Sequence, residues 1–462
     1  MSDATAPSSA PPGDSPPRRS PSARGYPMVG LLPGIIRDAP NTLRDVARQY
    51  PGEVIHLHIG PVKAYLVTHP DHVQYILADN WRNFSKESGM WRSLQRLMGN
   101  GLGTTSGDKW FVHRRLMQPL FTVKQLGSLV DRMARAVEID VERLAQQAER
   151  GAVVDMAREM MQITQRVLLA TMFGTSIRRE EADTLADSIL AAFEAINTRM
   201  FLYFIPDRLM PGERALQAAI ARIDGSILRM VRERREEGKD KGDLLSLLLG
   251  ANEGGAGMDD RQLRDELVTM FIAGNETTAV TMTWLFYLLD QHPDIDRKVR
   301  EEIDQVLGDR SPTAADLEKL VYCKMVIQET MRMYPPSWII PRMAKEADQI
   351  DGYPIPAGAT VIMSQYIQHH DPTFWESPST FDPERFRPER AAARPRYAYM
   401  PFGGGPRQCI GNMFAIFEAQ VILSLLRKRV RARLVPGQRV TPKAAITLRP
   451  RHGLRMSLHP DR

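Results

Sequence analysis

The sequence predicts a mainly α-helical fold with small β-sheets in one large domain. Apolar residues recur with helical spacing through most of residues 71–334. Short runs of alternating polarity stand near both ends of the chain. The 462 residues, 43% of them apolar, suffice for a large core without disulfide bonds. Residues 1–24 are rich in Pro, Ser and Ala, so we expect a disordered tail followed by a single domain over residues 25–462.

The composition argues against several classes of protein. The two cysteines, Cys323 and Cys409, are too few for a disulfide framework and too far apart in the sequence to favour a thiolate-built zinc or iron–sulfur site. This usage fits a reducing compartment, and we expect a cytoplasmic protein. The net charge is +6, but no helix carries the basic rows typical of nucleic-acid binding. The most apolar long stretch has Asn275 and Glu276 at its middle, which argues against a membrane span.

The first strand is predicted at residues 55–59, where apolar residues alternate with His56 and His58. Gly60-Pro61 marks a turn into a second strand over residues 64–67. Two histidines at this spacing could bind a metal, but the alternation favours the polar face of a strand.

Longer elements follow in the second half of the chain. A helix is predicted from about Asp260 to Gln291, and another from about Ala314 to Tyr334. Hairpins are predicted around Asp351-Gly352, and over residues 446–458 with a turn at His452-Gly453. A further amphipathic helix should follow Cys409.

The segment from Phe402 to Gly411 is the most informative in the chain. Three consecutive glycines, ending at Gly405, would let the backbone approach a flat ligand without Cβ clashes. Cys409 would lie at a helix N-terminus, where backbone N–H groups stabilise a thiolate. Arg407 can pair with a carboxylate of the ligand, Phe402 can cover the sulfur, and Gly411 lets the helix lie against the ligand. For a lone cysteine, the alternative would be a free buried thiol.

The spacing Phe-x-x-Gly-x-Arg-x-Cys-x-Gly resembles the haem-binding signature of the cytochrome P450 family. The resemblance runs from about Gly25 to the C-terminus and implies haem b (iron protoporphyrin IX) with Cys409 as the iron ligand. It also implies the family's fold, a triangular helical prism with a long central helix over the haem and a β-rich subdomain.

The residues Ala273-Gly274-Asn275-Glu276-Thr277 resemble the family's oxygen-activation segment. The small pair would leave room beside the helix, and Thr277 can bond to a carbonyl one turn back. Glu276 is expected to relay protons inward from solvent. The alternative is a helix with threonines on a polar edge.

Other matches concern the support of the haem. Glu329 and Arg332 share a helix face, and the family joins such a pair to a second arginine, here Arg385, in a buried network. Haem propionate contacts are implied for four further residues, namely Trp110, Arg114, Arg342 and His369.

Several segments should face the haem across the substrate pocket, and they include residues 85–102, 201–205 and 337–340. The residues expected to line this pocket are Trp91, Met270, Trp338, Ile339 and Ile446. Among them Trp338 is expected to touch the substrate.

The resemblance implies a monooxygenase that inserts one atom of dioxygen into a hydrophobic molecule such as a terpenoid, polyketide, steroid or fatty acid. Electrons should come from a separate ferredoxin or flavodoxin with its reductase, since no reductase follows Cys409. We expect a monomer without a membrane anchor, docking its acidic partner through basic residues such as Arg115, Arg427, Lys428 and Arg429. The alternatives are a haem-thiolate peroxygenase using hydrogen peroxide, and a non-catalytic haem sensor or electron carrier.

Overall fold

The computed structural model describes residues 18–174, 209–250 and 258–461, together with residues 184, 185, 187–189, 191, 192, 195, 196, 199 and 206. Helices dominate, and small sheets lie near both ends of the chain, as the sequence predicts.

The first half of the described chain contains α1 (Leu32–Gln49), α2 (Pro70–Gln74), α3 (Gly89–Met98), α4 (Gly107–Met117), α5 (Val123–Gly127), α6 (Val130–Ala148), α7 (Met156–Met172), α8 (Glu213–Glu237) and α9 (Leu244–Gly250). The second half contains α10 (Asp260–Gln291), α11 (Pro293–Leu307), α12 (Ala314–Leu317), α13 (Val321–Met333), α14 (Gln365–Gln368), α15 (Pro388–Ala392) and α16 (Asn412–Arg427). Among the described residues, no helix combines the length and apolar character needed to cross a membrane.

A five-stranded sheet has the order β1-β2-β8-β5-β3. Its strands are β1 (Ile55–Ile59), β2 (Val62–Val67), β3 (Phe84–Ser85), β5 (Ile340–Ala344) and β8 (Thr360–Met363). The smaller sheets use β4 (Val153–Asp155), β6 (Asp348–Ile350), β7 (Tyr353–Ile355), β9 (Val430–Leu434), β10 (Pro442–Ala444), β11 (Leu448–Pro450) and β12 (Arg455–Pro460). In these sheets β6 pairs with β7, β10 with β11, and β12 with both β4 and β9.

The helix α10 runs through the centre of the main hydrophobic core and is buried along most of its length. Asp259 caps its start by accepting a hydrogen bond from the Gln262 N–H, and the helix stops two residues before Pro293. Its side chains contact α7 on one side and α13 and α16 on others. The central helix therefore fixes the relative positions of the elements that form the site.

Two predicted elements differ from the structure. The helix predicted over Ala314–Tyr334 is divided into α12 and α13, because residues 318–320 leave the helical path. The hairpin predicted at His452-Gly453 is wrong, since β11 and β12 pair with different strands and belong to different sheets. Instead, β11 forms a hairpin with the preceding strand β10, and β12 pairs with β9 and β4.

The chain is ordered before the predicted boundary at Gly25. The Arg18 N–H donates to the Gly352 carbonyl at 2.9 Å, and Ser22 bridges to His56 in β1. The His56 ring bonds to the Ser22 hydroxyl at 3.0 Å. His56 is therefore part of the polar face of β1, in agreement with the preferred interpretation of the two histidines.

A buried ion network ties α13 to the chain that leads to the cysteine loop. Arg332 makes two hydrogen bonds to Glu329, at 2.7 and 2.8 Å, with both side chains fully buried. The Arg385 Nε lies 3.5 Å from the same carboxylate, and the Asp382 N–H donates to it at 3.0 Å. The three residues are thus assembled as the resemblance implies, and their role here is structural.

Candidate active site

A cavity of about 420 Å³ lies between α10, the start of α16 and the strand β5. This volume is within the range of small-molecule sites. Its wall includes Cys409, Phe402, Arg407 and Gly411 of the cysteine loop, Trp110 and Arg114 of α4, Ala273, Gly274, Glu276 and Thr277 of α10, and Arg342 of β5. Segments more than 300 residues apart in the sequence therefore meet at one site.

Cys409 lies three residues before α16, and its exposed sulfur faces this internal cavity. The loop is closed by the Cys409 N–H, which donates to the Phe402 carbonyl at 2.9 Å. Burial raises the pKa of the Cys409 thiol, whereas a hydrogen bond from the Gly411 N–H and the charges of Arg114 and Lys86 act in the opposite direction. The Cys409 sulfur thus faces the cavity and has groups nearby that stabilise a thiolate.

The glycines of this loop are needed for packing within the protein. A Cβ on Gly405, whose φ is +63°, would lie 1.7 Å from the Leu77 carbonyl oxygen. A Cβ on Gly404 would lie 2.3 Å from the Tyr397 ring. Gly405 is not in the cavity wall, so the prediction that it approaches the ligand is wrong. Its role is to let the loop lie against the backbone at Leu77.

Four cationic side chains converge on the cavity, and none forms an ion pair with a carboxylate among the residues that the structure describes. They are Lys86, Arg114, Arg342 and Arg407. Burial and the nearby Arg342 and Arg407 lower the pKa of Lys86 well below its usual value, and burial and Arg407 lower the pKa of Arg342 to about 9. Such mutual repulsion would be relieved by an anionic ligand.

These cations are held in place by backbone carbonyls. Arg407 donates to the Thr105 carbonyl at 2.9 Å and stacks over Trp110 at 4.5 Å from the ring centroid. Arg114 donates to the Gln408 carbonyl at 2.8 Å. Lys86, which the sequence reasoning missed, donates to the Gly103 carbonyl at 2.7 Å. A lysine in a short polar run carries no sequence signal that distinguishes it from a surface residue.

The thiol and the four cations together fit a haem, whose iron takes a thiolate ligand and whose two carboxylates need cationic partners. Trp110 faces the cavity as expected, but its ring also packs against Trp81 in the core.

The wall formed by α10 has the expected backbone bond. The Thr277 hydroxyl donates to the Ala273 carbonyl one turn back, at 2.6 Å. Gly274 has a second reason to be small, because a Cβ there would lie 2.9 Å from Leu168 of α7. The small pair thus serves helix packing as well as the cavity.

Glu276 is buried and turns towards the C-terminal segment of the chain. Its Oε1 accepts a hydrogen bond from the Thr447 hydroxyl at 2.8 Å, and its Oε2 has no partner among the described residues. Burial raises the pKa of Glu276, while Thr447 and Arg449 act in the opposite direction. Its carboxyl is therefore biased towards the protonated form.

Two predicted site residues lie elsewhere. His369 is fully buried behind the cysteine loop, where its Nε2 accepts a hydrogen bond from the Met400 N–H at 3.0 Å. Trp338 points into a separate core cluster and donates its indole N–H to the Ala445 carbonyl. Neither lines the cavity, so the propionate role of His369 and the substrate contact of Trp338 are corrected. Periodicity cannot show which way a residue in an irregular segment points.

The other predicted pocket residues do line the cavity, namely Trp91, Met270, Ile339 and Ile446. Residues 201–205 lie outside the described residues. Arg427 is not a docking cation, since it is buried and paired with Asp296 and Asp461.

Sequence reasoning also missed Glu418 on α16. Its carboxyl is fully buried and close to Thr278, the residue after the acid–threonine pair. Burial raises the pKa of Glu418 to about 8, with Thr278 acting in the opposite direction. The sequence pattern predicts that a glutamate on an amphipathic helix is solvent-exposed. Glu418 is buried because α16 is packed on all sides.

Comparison with known proteins agrees with this geometry. The Cytochrome P450 family model matches residues 20–454. The chain is a cytochrome P450. It is 36% identical over 390 residues to cyclooctat-9-en-7-ol 5-monooxygenase of Streptomyces melanosporofaciens, with 84% of each chain covered. It is 31% identical over 410 residues to pentalenene oxygenase of Streptomyces avermitilis, covering 88% of this chain and 90% of the relative.

The crystal structure of the cytochrome P450DA heme domain is similar, with a TM-score of 0.88 and 25% identity, over 97% of this chain and 98% of that one. This cytochrome P450 is therefore a haem-dependent monooxygenase that acts on hydrophobic substrates with electrons from redox partners.

The packing of Gly405 predicts a selective loss of stability. Gly405→Ala should lower the melting temperature and haem content, because its Cβ would meet the Leu77 carbonyl. Gly437→Ala is the control, since Gly437 also has a positive φ, of +80°, but faces open space. Backbone strain of about 1 kcal/mol is shared by both variants. Equal melting temperatures and haem contents in Gly405→Ala and Gly437→Ala would mean that the contact of the loop with Leu77 is unimportant.

The buried Glu418 predicts a pH-dependent stability. Because its pKa is raised from 4.5 to about 8, the native protein keeps a proton that the unfolded chain releases, and stability falls as pH rises through this interval. Glu418→Gln removes the titration, so the variant should not lose this stability. The stability of the variant minus that of the wild type should therefore be larger at pH 8 than at pH 5, by about 1 kcal/mol or more. Denaturant unfolding of the haem-loaded protein at both pH values measures the difference. An unchanged difference between wild type and variant would contradict the prediction.

Proposed function

We propose that this protein is a terpenoid hydroxylase or epoxidase that inserts one atom of dioxygen, with Cys409 as the ligand of a haem b iron. The observation that carries the proposal is that Cys409 and the Glu276–Thr277 pair face one cavity. Supporting it, the apolar part of the wall is contributed by residues such as Trp91, Met270 and Ile446.

Different residues would bind the iron and the carboxylates of the haem. Cys409 supplies the thiolate, and the Gly411 N–H stabilises its charge. The cations Lys86, Arg114, Arg342 and Arg407 would bind the carboxylates. Haem b, which is not covalently attached, is favoured because the other cysteine, Cys323, is fully buried in the core. When bound, the haem supplies the activation of dioxygen, favoured by the electron density of the thiolate.

Protons are handled by α10. The Thr277 hydroxyl is anchored on the Ala273 carbonyl, which leaves its lone pairs free to hold a proton donor in the cavity. The Glu276 carboxyl, biased towards its protonated form by burial, lines the same cavity as Thr277 and can release a proton into it. The Thr447 hydroxyl fixes the carboxyl in place.

A terpenoid is favoured over the other hydrophobic classes by the relatives. Cyclooctat-9-en-7-ol 5-monooxygenase and pentalenene oxygenase take their names from terpenoid molecules and cover more than four fifths of this chain. A rigid, branched hydrocarbon of this kind suits a wall built from large apolar side chains.

The electron donor that we propose is a small acidic ferredoxin, or a flavodoxin, with its reductase. Arg114 touches the cysteine loop through the Gln408 carbonyl, so the exposed face of α4 lies beside Cys409. That face presents Phe111, Val112 and Arg115, an apolar patch with a positive charge. We propose that the protein acts as a monomer, since one chain contributes every group of the site.

The ligand role of Cys409 is tested by spectroscopy. The reduced wild type with carbon monoxide should show the strongly red-shifted Soret band of thiolate ligation. Cys409→His should lose this band even where haem is retained, because imidazole donates less electron density. The control is Cys323→Ser, which should keep the band. A shifted band in Cys409→Ala would contradict the assignment.

The role of Thr277 is tested by the ratio of product formed to reductant consumed. Thr277→Val keeps the shape of the side chain but removes the hydroxyl, so the variant should consume reductant and dioxygen while releasing hydrogen peroxide in place of product. Thr277→Ser should retain coupling. The expected loss is within the roughly 10²–10⁴-fold range of general acid–base contributions.

A peroxygenase would behave differently. It would form product from added hydrogen peroxide without reductant, about equally well in wild type and Thr277→Val. Undiminished coupling in Thr277→Val with a ferredoxin and its reductase would refute the proton-delivery role.

A further inference from the structure

The wall of the cavity also contains a polar group that the proposed chemistry does not use. Gln365 begins α14, is fully buried, and lines the cavity. Its Oε1 has no hydrogen-bond partner among the described residues. An amide oxygen buried without a donor costs roughly 1–3 kcal/mol, so a donor is expected to reach it in the working protein.

The orientation of this amide is set by its neighbours. The Ser337 hydroxyl donates to the Ile339 carbonyl at 3.5 Å, which turns its lone pairs towards Gln365. The Gln365 Nε2 donates to that hydroxyl, also at 3.5 Å. Both contacts are long, but their direction is consistent, and they leave Oε1 as the free acceptor.

Arg342, one of the cations that would bind the haem carboxylates, lies away from Gln365. In the antiparallel pair of β5 and β8, Arg342 is opposite Val361 and Ile340 is opposite Met363. Because the strands are antiparallel, Ser337, which precedes β5, and Gln365, which follows β8, lie at the same end of the pair. The amide lies at the end of this strand pair away from Arg342. A carboxylate is also an acceptor and cannot bond to an amide oxygen.

The same end of the cavity carries the other polar groups of the substrate side. The Leu448 N–H donates to the Pro336 carbonyl at 3.0 Å, which brings Thr447 and its partner Glu276 beside Ser337. The Glu276 Oε2 is a second buried oxygen without a partner among the described residues, and it carries the proton when the carboxyl is protonated. The Gln365 Oε1 is therefore the free acceptor at this end of the cavity.

We propose that Gln365 and Ser337 form a subsite for a hydroxyl group of the substrate. The substrate is then an apolar molecule that already carries an alcohol, and an earlier hydroxylation or hydration must supply it. The hydroxyl donates to the Gln365 Oε1 and fixes which carbon is presented to the reacting centre. This inference rests on the proposed oxidation of terpenoids and adds that Gln365 determines specificity.

The test compares terpenoid alcohols with their parent hydrocarbons, using cedrol with cedrane and patchoulol with patchoulane. Each compound is titrated into the haem-loaded protein, and the change in the Soret spectrum gives the dissociation constant. The wild type should bind the alcohol about tenfold more tightly than the hydrocarbon in at least one pair, as one hydrogen bond of about 1.4 kcal/mol would give. Gln365→Leu should remove this preference while leaving hydrocarbon binding unchanged or tighter.

The matched control is Gln368→Leu on the same short helix. Gln368 is also fully buried and its amide also lacks partners among the described residues, but it does not line the cavity. Its replacement should leave the preference for the alcohol intact. Ser337→Ala should weaken the preference, because the Gln365 amide is then free to turn.

Several outcomes would overturn the subsite. One is a wild type that binds each hydrocarbon as tightly as its alcohol, and another is a Gln365→Leu variant with the wild-type preference. A panel in which no alcohol changes the spectrum also counts against it. In all these cases a normal thiolate spectrum with carbon monoxide leaves the haem-thiolate assignment standing, and its absence in the wild type would overturn the proposed function instead.

Discussion

Four positive charges around one cavity are the constraint on which the site depends. Lys86, Arg114, Arg342 and Arg407 come from four separate parts of the chain and have no carboxylate partner among the described residues. Burying them together is unfavourable, as the depressed pKa values of Lys86 and Arg342 indicate. The dianionic haem proposed for this cavity would convert this repulsion into attraction, so its binding would stabilise the fold around it.

Cys409, the proposed thiolate ligand, is held by a different means, the close packing of backbone against backbone. Gly405 lets the cysteine loop lie against the carbonyl of Leu77, and the Cys409 N–H closes the loop on Phe402. Below it, the Glu329–Arg332 pair fixes the approach of the chain. The sulfur is thereby aimed at the cavity by a rigid turn, which suits a donor that must keep its geometry through repeated turnover.

Buried carboxyls give the α10 side of the cavity its acid–base character. Glu276 faces the cavity from α10, and Glu418 approaches the same helix from α16 at Thr278. Burial raises the pKa of both carboxyls. With its pKa raised to about 8, the Glu418 carboxyl can hold a proton next to the site at neutral pH, whereas an exposed carboxyl would have released it. The hydrogen bond from Thr447 holds the Glu276 carboxyl in place.

The sequence by itself determined the fold class, the long helix α10, and the presence of Cys409, Glu276 and Thr277 at one site, because each rests on local periodicity or on a motif of fixed spacing. The buried arginine network was implied by the same family resemblance. Tertiary structure alone decided the rest. It placed Lys86 and Gln365 on the cavity wall, buried Glu418, and turned His369 and Trp338 away from the site. It also paired β12 with the distant strand β4. The physical reason is that a side chain's direction in an irregular segment, and its burial on a helix packed from all sides, depend on neighbours hundreds of residues away, which local spacing does not encode.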